Sequence, residues 1–143
     1  NPEPPMPDMD KNNSTLLGID SDDDGLRDDV EIFINYMMRD ESYNQVMAMR
    51  VLAKSFFKIL RNRNSSQEKL IRLYEDKSGD YGCLYSFFKG DIRYGIALTR
   101  RLRIKIHNTE ERRSAKRRAS QGAGTFITDF DDIGRGSCRF NPK

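Results

Sequence analysis

The chain has 143 residues, of which 36% are hydrophobic and 33% charged, and a net charge of +3. That length suits one domain with a real core, and no apolar run approaches a membrane span. Two cysteines and a single histidine match no zinc-site spacing. The net charge conceals a division along the chain. Residues 1–31 carry ten acids against Lys11 and Arg27, a balance of −8, whereas residues 100–118 carry nine bases against Glu110 and Glu111, a balance of +7.

In chain order, residues 1–16 form a leader. Pro2, Pro4, Pro5 and Pro7 precede Asn12, Asn13, Ser14 and Thr15, a composition that disfavours a helix entering the next segment. The leader reads either as a tether behind a cleaved signal or a lipid-anchored residue, or as an ordinary disordered terminus. Residues 17–143 read as a single domain.

The stretch over residues 20–31 is D-S-D-D-D-G-L-R-D-D-V-E. Calcium is a hard cation that takes about six to eight oxygen ligands in a flexible shell. A short loop supplies them from carboxylates at alternate positions and one backbone carbonyl. Asp20, Asp22 and Asp24 fill the first, third and fifth positions, and Gly25 at the sixth permits a turn with positive φ. Leu26 offers its carbonyl at the seventh, Asp28 acts at the ninth, and Glu31 closes the shell at the twelfth with both oxygens. In this register Asp23 and Asp29 point outward and add only negative field. The alternative reading is a solvated acidic turn that caps the following helix.

These positions carry a resemblance over about residues 17–39. The loop resembles EF-hand-type loops, and more closely those of dockerins, thrombospondin type 3 repeats and bacterial cell-envelope proteins. Two departures favour the latter group: Arg27 occupies the eighth position, where a paired EF-hand carries an aliphatic residue, and no entering helix is expected. The resemblance implies a structural Ca2+ site rather than a calmodulin-like sensor.

The remainder predicts helices. Val30, Phe33, Ile34 and Met37 share one face of a helix from near Asp28 to about Arg39. Ser42 and Gln45 make a capping box for a second helix bearing Val46, Met49, Ala53, Phe56, Phe57 and Leu60. Ser65 and Glu68 make another, opening a helix with Leu70, Ile71 and Tyr74 that Gly79 and Gly82 interrupt. Met and aromatic residues on these faces read as core filling rather than a ligand groove. A further helix begins near Asp91, with Tyr94, Leu98, Leu102 and Ile106 four residues apart and Ala97 and Ile104 broadening that apolar face. Asn108 or Thr109 can cap a last segment to about Ser120, read as a surface helix or as the solvated continuation of the preceding one. A short extended piece over residues 124–128, an acidic loop over 129–134 and an irregular tail complete the chain. The fold class is all-α, a small helical bundle with the calcium loop at its N-terminal edge.

Cys83 and Cys138 read as one disulfide stapling the tail, or as two unrelated buried thiols. An oxidising milieu and millimolar calcium occur together outside the cytoplasm, which suggests a periplasmic or secreted protein. The basic segment, with Arg112, Arg113, Lys116, Arg117 and Arg118 at its end, reads as a polyanion or nucleic-acid site or as a solvated face. It lacks interleaved aromatic residues for base stacking. His107 has no carboxylate or nucleophile at a telling spacing, so no catalytic residue is assigned and no enzymatic activity is expected. The combined reading is a calcium-stabilised extracytoplasmic domain that engages a protein or an envelope polymer, with polyanion binding as the alternative.

Overall fold

The computed structural model describes residues 2–124 and 138–143. Every regular element among them is a helix: α1 (Met9–Asn13), α2 (Asp28–Met37), α3 (Tyr43–Arg61), α4 (Gln67–Ser86), α5 (Ile92–Ile106) and α6 (Glu110–Ala123). The protein is therefore an all-α bundle. The extended piece expected over 124–128 and the acidic loop over 129–134 lie outside the described residues, Gly124 excepted.

Helix α3 is the axis, packing on α2, α4, α5 and α6. Its start is set by a complete capping box: Ser42 Oγ accepts from the Gln45 N–H, and Gln45 Oε1 accepts from the Ser42 N–H. Met49, Leu52, Ala53, Phe56, Phe57 and Leu60 leave the helix on its buried faces. Val30, Ile34 and Met37 of α2, Leu84 of α4 and Leu98, Leu102 and Ile106 of α5 join them in one core. A smaller cluster of Ile59, Leu70, Ala119 and Ala123 seats α6. Small side chains on α6 allow this approach; a Cβ on the neighbouring Gly122 would stand 2.7 Å from Leu70 Cδ1.

Three local expectations are corrected. Helix α4 begins at the cap Ser66, whose Oγ accepts from Lys69 N–H, rather than at Ser65. It then runs without a break through Gly79 and Gly82. A glycine inside a helix costs roughly 1 kcal/mol, and tertiary partners outweigh that here. Asp80 and Cys83, one turn apart, face α3 and the C-terminal tail. Buried Asp80 accepts from Ser55 of α3 and from Arg139 Nη2 (2.6 Å) and Nε (2.9 Å). Thirdly, a helix does precede the loop. Asp8 Oδ1 caps the five-residue α1, and Leu16 beyond it enters the main core.

Cys83 and Cys138 form a disulfide across 55 residues, with 4.9 Å between their Cα atoms. Beside it Phe140 stacks at 6.4 Å from Phe87, and the Lys143 backbone exchanges two hydrogen bonds with Asn44. The tail is thus stapled by a covalent bond and clasped by an ion pair. Removing one partner of a buried pair typically costs about 3–5 kcal/mol; because Arg139 is part-exposed, Arg139→Met should cost about 2–4 kcal/mol in urea denaturation with the disulfide intact. A cost near zero would mean that Cys138 alone holds the tail.

Candidate metal centre

The loop over residues 20–31 folds around its own carboxylates. Gly25 has φ 88° and Asp23 φ 53°, the left-handed conformations that turn the chain sharply. Asp20 receives the N–H groups of Asp24 (3.3 Å) and Gly25 (2.9 Å), and Asp24 receives that of Leu26 (2.8 Å). Asp28 Oδ1 accepts from Ser21 N–H at 3.0 Å, which draws the ninth position back over the second. Carboxylate oxygens of Asp20, Asp22 and Asp28 lie within 4.8 Å of one another, as do those of Asp22, Asp24 and Glu31. All five predicted carboxylates therefore meet in two groups that share Asp22. Leu26, at the seventh position, buries its side chain completely in the core.

This crowding perturbs the acids. Burial pushes the Asp20 carboxyl up to about 6, and Asp22 and Asp24 beside it push the same way, against the N–H bonds it accepts. Glu31 is almost fully buried. Its Oε1 accepts from Arg50 Nη2 at 2.5 Å, and its Oε2 has no hydrogen-bond partner. In the structure Arg50 of α3 occupies one of the two Glu31 oxygens. Nothing in the chain announces Arg50, because the pairing is made by the packing of α2 on α3.

Asp29 does not point outward. It is buried and takes Arg27 in a two-pronged ion pair, Nε at 2.5 Å and Nη2 at 3.1 Å, with Lys105 Nζ at 3.6 Å. Burial raises its carboxyl, but the Arg27 bonds and the charges of Arg27 and Lys105 outweigh that and hold it below the usual carboxylate range. Arg27 also donates to the carbonyls of Lys105 (3.0 Å) and Ile106 (3.1 Å), the open end of α5. The eighth loop position thus fastens the loop to α5 of its own domain.

The basic segment divides in the structure. Arg112 is fully buried and donates to the carbonyls of Asn12, Thr15 and Leu16 and to the side chains of Asn13 and Asn108. Burial and the nearby Arg27 push its pKa down to about 10. Arg112 is therefore a structural residue, not part of a polyanion surface. Arg113 and Arg117 pair with Glu110, and Arg118 donates to Asn64. Lys116 is exposed, and with Arg100, Arg103, Arg113 and His107 it lines a groove of about 590 Å³ between α5 and α6. His107 itself is buried, its Nδ1 at 2.9 Å from the Arg103 carbonyl and its ring edge-on to Phe56.

No protein-family model, no curated protein and no solved structure matches this chain.

Two predictions follow from the buried bases. Arg112→Met should destabilise the fold by about 3–5 kcal/mol, since five oxygens lose their donor, while leaving heparin retention unchanged; an equal loss of retention and stability would restore Arg112 to the surface. The second concerns pH. Burial and the charges of Lys116, Lys77 and Arg27, opposed only by the Arg103 carbonyl, lower the His107 pKa from 6.5 to about 4. The unfolded chain therefore binds the proton first. This contribution to stability should be complete above pH 6.5 and lost as pH falls to about 4, on the order of 3 kcal/mol in all. Urea titrations of His107→Gln should show a shallower decline over that window than the parent.

Proposed function

We propose that this protein is a non-enzymatic, calcium-stabilised helical domain that works outside the cytoplasm, in the periplasm or as a secreted protein. The observation that carries the reading is Glu31 Oε2: a buried carboxylate oxygen with no partner, in one group with Asp22 and Asp24. An orphaned buried carboxylate oxygen is costly and is stabilised by a cation. A hard cation with an oxygen shell suits the all-carboxylate donor set, and the twelve-residue spacing favours Ca2+ among such cations.

In this reading the metal is structural. Asp28, Asp29 and Glu31 make up the acidic first turn of α2. A cation shared by the loop and Glu31 fixes where α2 starts and how Val30 and Ile34 meet the core. The disulfide supports an oxidising compartment, where calcium is also abundant. No helix among the described residues is long and apolar enough to cross a membrane. The partner is a protein or an envelope polymer met through the surface of the bundle.

Loops of the extracellular type bind calcium at roughly 10⁻⁴–10⁻³ M, so linkage at 10 mM calcium is worth about 1.4–2.7 kcal/mol. Metal-stripped protein should therefore gain about 4–9 °C in melting temperature on addition of 10 mM calcium. Asp20→Ala and Glu31→Gln should each abolish the gain. A melting curve indifferent to calcium in stripped protein would remove the structural role.

A further inference from the structure

The solvent side of α5 is not an ordinary polar helix face. Ile92, Ile96 and Ile104 are 43%, 48% and 64% exposed. At about 100° per residue, Ile92, Ile96, Arg100, Arg103 and Ile104 fall within one sector of roughly 120°. The opposite side, with Leu98, Leu102 and Ile106, faces the core. Residues 92–106 contain no acidic residue and five basic ones, Arg93, Arg100, Arg101, Arg103 and Lys105. On this side, branched aliphatic side chains interleave with arginines toward water.

The groove between α5 and α6 continues this face, sharing Arg100, Arg103 and Ile104 and adding Arg113 and Lys116. Asp91 caps α5 by accepting from Tyr94 N–H, and Glu110 holds Arg113 and Arg117. Behind the groove Lys77 stands 5.2 Å from the Phe56 ring centroid and 4.4 Å from that of Tyr74. Burial, with Lys116 and Arg103 adding repulsion, lowers its pKa to about 8, in keeping with a positive field there.

We propose that the α5–α6 face docks on the surface of an anionic lipid bilayer, with Ile92, Ile96 and Ile104 entering the interfacial layer while the cationic groove holds lipid phosphates. Charge complementarity selects an anionic partner. The exposed isoleucines select a bilayer over a nucleic acid, which this face, with no stacking aromatic among the described residues that line the groove, would contact through phosphates. Shallow insertion of an apolar stripe flanked by arginines is the usual mode of peripheral binding. The proposal does not depend on calcium in the loop.

The test is co-sedimentation with phosphatidylcholine vesicles with and without phosphatidylserine. Binding is expected only with phosphatidylserine, weakening as salt rises. The paired change Ile96→Ser and Ile104→Ser should weaken it roughly tenfold or more with the melting temperature unchanged, and Arg100→Gln with Lys116→Gln should weaken it as well. The chain has no tryptophan, so Ile104→Trp supplies a clean reporter whose emission should shift to the blue on anionic vesicles. Absence of binding at low salt overturns the proposal. So does binding that ignores the isoleucine changes and is displaced fully by free inorganic phosphate, which would make the groove a site for soluble anions.

Discussion

Arg27 and Arg112 cross at Gly18, and the N-terminal part of the molecule hangs on that crossing. A Cβ on Gly18 would lie 2.5 Å from Arg27 Cδ and 3.0 Å from Arg112 Nη2, and the residue has φ 65°. Both guanidinium groups are buried, and a buried charge is stable only when its donors are met. Arg27 meets an opposite charge, Asp29, and the free carbonyls of α5. Among the described residues Arg112 has no carboxylate as a hydrogen-bond partner and relies on neutral oxygens of residues 12–16 and Asn108. One arginine ties the acidic loop to α5, and the other ties the preceding segment to α6.

This arrangement explains how so many carboxylates can sit together. The loop is clamped just before its first position by Ile19, whose N–H donates to Asn12 Oδ1 and whose carbonyl accepts from Asp28 N–H. It is clamped at its eighth position by Arg27. These clamps hold Asp20, Asp22 and Asp24 together, and burial, with Asp22 and Asp24 adding to it, raises the proton affinity of Asp20. Arg50 supplies the only guanidinium hydrogen-bonded to Glu31 among the described residues. A cation joining the loop would enter a site whose frame exists and whose charge is partly balanced at one end.

What was legible in the chain was what neighbouring residues decide among themselves. Ser42 with Gln45, Asp91 and Thr109 each cap the helix they precede, and apolar spacing marks the buried faces of α2, α3 and α5. The alternation of Asp20, Asp22 and Asp24 before Gly25 marks a turn of carboxylates, and the structure brings them together. The disulfide was legible because only two cysteines exist. What was hidden depends on partners far along the chain. Gly79 and Gly82 read as breakers until Ser55 and Arg139 are seen to hold Asp80 between them. Asp29 reads as solvent-facing until Arg27 turns inward, and Arg112 cannot be told from Arg113 without the carbonyls of residues 12–16.

Those carbonyls redraw the domain's edge. A chain that began at residue 17 would keep the whole acidic loop and every helix after it, yet would leave the Arg112 guanidinium facing a void where Asn12, Thr15 and Leu16 had stood. Residues 12–16 therefore pack as part of the bundle, and a protease that cuts among them would strike the fold rather than a linker.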